Sequence, residues 1–227
     1  ADFSRFKPIL EMINDDVDLN YDLVVTGIHL LDSYGKTINE IKDGGFEVFK
    51  TVKMFEDNVD KDSGAEMTKA LGRVTMGLVE AIEESKPDII LSGFDIGANL
   101  AVSIAGAHMN IPVVHIQGGE VSGTIDESIR HAVSKFSHYH LVSNNDAKNR
   151  LIKMGEIPKH IFVVGCPSID AMLDITINTP NEIEEKFGID VKKNFFLVLQ
   201  HPVTTELNDA KKQIRETLNA VKKSGVQ

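Results

Sequence analysis

The amino-acid sequence predicts an α/β fold, a doubly wound parallel sheet with helices on both faces. Two observations carry this. Apolar runs of strand length alternate along the chain with amphipathic runs of helix length. Loops rich in glycine and polar residues follow several strand candidates, at the carboxyl ends where such sheets bind ligands.

The elements follow in order. Residues 3–13 read as a helix with Phe6, Ile9, Leu10 and Ile13 on one face. Strands are predicted at 23–26, 46–52, 89–92, 113–116, 139–142 and 161–164. Between them, residues 66–84 place Met67, Ala70, Leu71, Val74, Leu78, Ala81 and Ile82 at helical spacing for one buried face. Pro87 ends that helix. Residues 98–109 are apolar on nearly every side, which predicts packing on two faces. The helix at 126–136 turns Ile129, Ala132, Val133 and Phe136 inward, and a shorter one at 145–154 stops at Gly155 and Pro158. Past Asp174 the chain becomes polar, with Thr179-Pro180-Asn181 marking a turn or helix start. A buried-type strand is expected at 195–200, then a loop and one closing helix bearing Leu207, Ala210, Ile214, Leu218 and Val221. One strand and one helix cannot enclose a core. Residues 1–174 are therefore expected to form one domain, and 175–227 a linker and the start of a second. Ala1 in place of Met, and a stop just after a helical pattern, suggest a chain cut at both ends from a longer protein.

Composition narrows the function. With 24 Lys+Arg against 34 Asp+Glu the net charge is −10, which disfavours a nucleic-acid partner but allows a small anion held by local donors. No apolar run approaches the ~18 residues of a membrane span. The lone Cys166 makes no internal disulfide, and no secretory signal is visible, so a reducing, cytoplasmic setting is expected. His138 and His140 are expected on one face of a strand without a third ligand, so no metal is expected. Neither a P-loop nor a complete dinucleotide fingerprint occurs, and no cofactor is implied.

Four loops could carry chemistry. In Thr26-Gly27-Ile28-His29, Gly27 permits close approach and His29 could donate to a phosphate or hydroxyl; a capping turn with a surface histidine is the structural alternative. In Gly93-Phe94-Asp95, Asp95 could act as a base or accept from a sugar hydroxyl, or merely cap the following helix. The densest loop runs from His115 to His131. Gly118, Gly119 and Gly123 leave backbone N–H groups free for an anion, Ser122 and Thr124 offer hydroxyls, and Glu120, Asp126 and Glu127 offer acid–base groups. A capping box joining Thr124 to Glu127 and an ion pair between Asp126 and Arg130 would account for part of it. In Gln200-His201-Pro202, the proline turns the chain off the strand and could leave His201 at its tip.

The stretch His115-Ile116-Gln117-Gly118-Gly119-Glu120-Val121-Ser122-Gly123-Thr124-Ile125-Asp126 closely resembles the hydrolysing UDP-N-acetylglucosamine 2-epimerases of the sialic-acid pathway type. Gly165-Cys166-Pro167-Ser168, Gln200-His201-Pro202 and Thr26-Gly27-Ile28-His29 look like further landmarks of that family, and Ala1-Asp2-Phe3-Ser4-Arg5 resembles the end of its first loop. The resemblance implies the N-terminal half of a two-domain, Rossmann-like GT-B fold that binds a UDP-N-acetylhexosamine in the cleft. It implies C2 deprotonation with loss of UDP, then hydration of a 2-acetamidoglucal to N-acetylmannosamine. It also implies a homodimer or homotetramer. By resemblance Asp126 is a catalytic carboxylate, His201 lies near the diphosphate, and His29 and Arg130 line the cleft. Gln117 stands where better-studied members carry a catalytic Glu, so Glu120 or Asp126 takes that role, or the branch works differently, or activity is weak. Asp95 stands for the aspartate of the family's Gly-Asp-Arg loop, whose arginine is missing here. Half the cleft is absent from this chain, so the chain alone is expected to be inactive. Two other readings stand beside this one: an epimerase of the same fold acting on a diacetamido-trideoxy UDP-hexose, or a nucleotide-sugar-binding protein without turnover.

Overall fold

The computed structural model describes residues 2–56, 63–173, 176–202 and 204–227. They fall into two compact units, Ala1–Leu173 and Asp174–Gln227.

In the first unit the chain runs α1 (Phe3–Asn14), β1 (Val24–Thr26), α2 (Ile38–Asp43), β2 (Lys50–Val52), α3 (Gly64–Ser85), β3 (Ile90–Gly93) and α4 (Gly97–His108). It continues through β4 (Val113–Ile116), α5 (Ile125–Phe136), β5 (Tyr139–Val142), α6 (Asn145–Lys153), β6 (Ile161–Val163) and α7 (Pro167–Leu173). All pairing is parallel: β1 with β2, and separately β3-β4-β5-β6 in sequence order. Parallel neighbours need crossovers, and the amphipathic helices supply them.

The long helix α3 shows how sequence makes an element. Ser63 caps it, accepting from the Glu66 N–H at 3.2 Å, and Lys86 ends it in the left-handed region (φ 51°). Ala70, Val74, Leu78, Ala81 and Ile82 are buried, as their spacing predicts. Met67 departs from expectation and is exposed; Glu66 is buried instead, bonded to Arg73 at 2.5 Å while Arg73 also reaches the Met54 carbonyl. This polar pair occupies the place where the apolar stripe would have continued. α4 buries Ala101, Ser103, Ala105 and Gly106 and packs against α3, α5 and β3, the two-sided covering its composition predicts.

Two strand expectations are corrected. Of residues 46–52 only 50–52 join a ladder, while Phe46 turns into a separate cluster with Leu10, Val25, Ile38 and Ile41. Residues 195–200 form no strand, and Leu197 and Leu199 stand 90% and 80% exposed. A strand exists only with a partner for its backbone. The described part of the second unit supplies helices α8 (Pro180–Phe187) and α9 (Ala210–Ser224), with one bond from the Phe196 N–H to the Gln227 carbonyl, and no ladder. The Thr179-Pro180 signal is a helix start, closed by a capping box between Thr179 and Glu182. No described helix is long and apolar enough to cross a membrane.

Candidate functional site

The site begins with a buried histidine. His115 on β4 has no exposed surface; burial pushes its pKa down to about 3, so the ring is neutral near pH 7. Its Nε2–H therefore donates to the Phe94 carbonyl at 3.1 Å, leaving Nδ1 to accept from the Ser134 hydroxyl at 3.0 Å. One ring thus ties together the loop after β3, the end of β4 and the middle of α5. Phe94, buried and at φ 69°, also donates its N–H to the Ile116 carbonyl. The forced turn at Phe94 projects Asp95 past the end of the sheet.

There Asp95 meets Arg130, whose guanidinium Nη2 pairs with its carboxylate. Arg130 is 7% exposed, and its other nitrogen donates to the Glu120 carbonyl at 3.2 Å and the Ser122 hydroxyl at 3.3 Å. Asp95, Glu120, Ser122 and Arg130, drawn from two loops and one helix, therefore converge. The helix-capping alternative for Asp95 does not hold, because Ile96 occupies the cap position and makes no side-chain cap bond. The expected Asp126–Arg130 pair is likewise replaced by Asp95–Arg130. The expected capping box is split: Thr124 accepts from the Asp126 N–H and donates to its Oδ2 at 2.9 Å, while Glu127 accepts from the Ser122 N–H at 2.7 Å. Asp126 is left half-buried in the first turn of α5, its carboxylate held only by the Thr124 hydroxyl among the described contacts.

Gly118 and Gly119 have a packing reason. A Cβ on Gly118 would sit 2.6 Å from His115 Nδ1, and one on Gly119, at φ 79°, would sit 2.5 Å from the Ala147 carbonyl oxygen. Arg150 also bonds the Gly119 carbonyl. Gln117, at φ 58°, donates its amide to Cys166 Sγ at 3.1 Å, and Glu120 accepts from the Ser143 hydroxyl at 2.5 Å.

His29 is half-buried in its own loop, sharing a hydrogen bond with Thr37 Oγ1 at 2.7 Å; burial lowers its pKa. That replaces the surface histidine of the alternative reading. His201 belongs to the second unit, where it is exposed beside Gln200, Asp209 and Lys212 at a cavity of about 590 Å³. The histidine pair on β5 does not share a face. His138 precedes the strand, is exposed and accepts from the Val113 N–H, whereas His140 is buried with Nε2 at 3.3 Å from Glu156. Strand alternation does not extend to a residue outside the ladder. Among the described residues, no group of three or more His, Cys, Asp or Glu side chains could hold a metal ion.

The opening stretch joins the site as its resemblance implies: Arg5 lies over the Phe94 ring at 4.6 Å, so the start of α1 meets the Asp95 loop. The structure adds residues the motifs did not single out. Ser143 and Arg150 enter from the β5–α6 region. Only their position after a strand tip could have marked them.

A family model described as UDP-N-acetylglucosamine 2-epimerase matches residues 11–227. A Legionella pneumophila protein named UDP-N,N'-diacetylbacillosamine 2-epimerase (hydrolyzing) is 38% identical over 227 residues, covering 100% of this chain and 59% of that protein. A Neisseria meningitidis protein named UDP-N-acetylglucosamine 2-epimerase is 36% identical over 225 residues, covering 99% of this chain and 58% of that protein. The chain thus spans less than two thirds of these relatives. Among solved structures, UDP-N-acetylglucosamine 2-epimerase from Rickettsia bellii aligns with a TM-score of 0.73 at 18% identity, over 97% of this chain and 57% of that one. The Neisseria meningitidis structure bound to UDP-GlcNAc aligns at 0.64 and 19% identity, over 75% and 45%. These likenesses bear out the Rossmann-like, GT-B-like α/β fold. Matched by the family model over nearly its whole length, the chain belongs to the UDP-N-acetylglucosamine 2-epimerase family.

Proposed function

We propose that this chain is part of a hydrolysing UDP-N-acetylglucosamine 2-epimerase, which turns UDP-GlcNAc into UDP and N-acetylmannosamine. The observation that carries the reading is the Asp95–Arg130 pair, which joins the β3 and β4 loops and leaves Asp126 one turn away without a cationic partner among the described ion pairs. Asp126 takes the C2 proton, the C2–H electron pair becomes the C1=C2 bond, and the C1–O bond breaks to release UDP. Water then adds at C1 and a proton returns to C2 from the other face. Gln117 exchanges no proton, so Glu120 is the second acid–base group. Arg130, Ser122 and the Gly118-Gly119 turn position the sugar nucleotide, with His29 and His201 in supporting roles. The second unit begins a further nucleotide-binding domain, the assembled protein is a cytoplasmic homodimer or homotetramer, and the 227-residue chain alone releases no UDP.

A second substrate is favoured by one observation, the name of the Legionella relative: a UDP-diacetamido-trideoxyhexose. NMR of the full-length protein in D₂O with each UDP-sugar distinguishes them. A free 2-epimerised sugar carrying deuterium at C2 supports the enzyme and identifies the substrate, whereas tight UDP binding without product supports a binder. Asp126→Asn should lower turnover about 10²–10⁴-fold with stability nearly unchanged. Wild-type turnover in that variant would remove Asp126 from the chemistry.

A further inference from the structure

Asp126 and Arg130 stand one turn apart on α5, the spacing at which a carboxylate and a guanidinium readily pair. They do not pair here, because Asp95 takes the arginine. A carboxylate neutralised by an adjacent guanidinium is a poorer base. Whatever holds Asp95 on Arg130 therefore also keeps Asp126 fit to act at C2.

Asp95 follows Phe94, which is 1% exposed and left-handed, a conformation a bulky residue keeps only where its surroundings fix it. Strand β4 fixes both of its backbone groups. The Phe94 N–H donates to the Ile116 carbonyl at 3.0 Å, and the Phe94 carbonyl accepts the His115 Nε2–H at 3.1 Å. The first bond joins main chain to main chain, whereas the second depends on one side chain. Burial keeps that ring neutral, and the Ser134 hydroxyl at 3.0 Å from Nδ1 leaves the ring's proton on Nε2. Gly118 leaves the space the ring fills, since a Cβ there would stand 2.6 Å from Nδ1. Ser134 Oγ also lies 3.1 Å from the Arg130 backbone carbonyl, so the ring is linked to both members of the Asp95–Arg130 pair.

We propose that His115 is a positioning residue of the reaction: by holding the Phe94 carbonyl it keeps Asp95 on Arg130, and thereby keeps Arg130 off Asp126. The inference rests on the elimination reading above, in which Asp126 takes the C2 proton. Without the Nε2–H the turn at Phe94 relaxes and Asp95 withdraws. The guanidinium then pairs with the carboxylate one turn back on its own helix, and the substrate meets a neutralised base.

The test compares two substitutions in the full-length protein. The amide nitrogen of Gln stands as many bonds from Cβ as Nε2 does, and that of Asn as many as Nδ1. His115→Gln keeps a donor for the Phe94 carbonyl and should retain most of kcat. His115→Asn offers a donor only toward Ser134 and should lose about 10²-fold in kcat, a larger change than any in KM. Equal kcat in the two folded variants overturns the proposal. Crystal structures read the geometry without reference to activity: Arg130 should remain on Asp95 in the wild type and His115→Gln, and lie on Asp126 in His115→Asn. Arg130 still on Asp95 in His115→Asn overturns the positioning role. If His115→Asn fails to fold, nitrogen NMR of the wild-type ring decides. A proton on Nε2 is expected, and one on Nδ1 leaves no donor for Phe94 and overturns the proposal. A folded wild type that neither releases UDP nor exchanges the C2 proton overturns the elimination reading, and the part of His115 in it, whatever the crystals show.

Discussion

The two halves of the loop between β4 and α5 are built differently. Residues 117–119 are packed from below: Gly118 lies against His115, and Gly119 lies against Ala147 and Leu151 with its carbonyl bonded by Arg150. Residues 121–123 are exposed, and a Cβ on Gly123 would meet nothing within 4 Å. Glycine in the first half serves packing; in the second it leaves backbone open to solvent. The contrast separates a packed base from an exposed rim, with Arg130 reaching the Glu120 carbonyl and the Ser122 hydroxyl between them. Positioned groups catalyse best on such a base.

Four substitutions or conditions would break or sharpen this contrast. Gly119→Ala should be the most damaging, at about 3–5 kcal/mol, because the new methyl meets a carbonyl in a left-handed backbone. A denaturation midpoint close to wild type would show that the base is not packed. Arg130→Met leaves Asp95 without its cation and should cost about 3 kcal/mol, the low end for a broken buried pair because Asp95 is 24% exposed. His115 governs the acid response. Its folded pKa is depressed from 6.5 to about 3, so its stabilising contribution is complete above pH 6.5 and is lost as pH falls toward 3, by at most about 1.4 kcal/mol per unit. Buried His140, also lowered by desolvation, adds a slope of the same sign. His115→Asn should flatten the curve of stability against pH, and an unchanged acid limb would assign it to other groups. The smallest effect belongs to Gly123→Ala, within about 0.5 kcal/mol of wild type. A larger loss would mean that the rim is packed too.

Much of this was legible in the chain. The periodicity of α3, the doubly covered α4 and strand tips near 92 and at 116 follow from apolar spacing, since burial of a face must repeat with the element's own period; the structure ends β3 at Gly93. The polar density after β4 marked the candidate site. Arg130's partner was not legible: at four residues' spacing Asp126 was the simplest candidate, but the turn at Phe94 brings Asp95 to it instead. Met67 shows the same limit, since its spacing was right and a neighbouring ion pair took its place.

The segment 195–200 marks the boundary most clearly. Its residues have strand propensity, yet they remain exposed and unladdered because a strand's backbone is satisfied only by another strand. The sequence by itself determined the parallel α/β class, the order of helices and strands up to residue 173, and which loops carry acids, hydroxyls and glycines, because each depends on residues close along the chain. Tertiary structure alone decided that Asp95 pairs with Arg130, that His115 is a buried neutral tie, that Gly118 and Gly119 are packed, and that Arg5 lies over Phe94. Each of these joins residues from different elements, and only packing determines which distant groups meet.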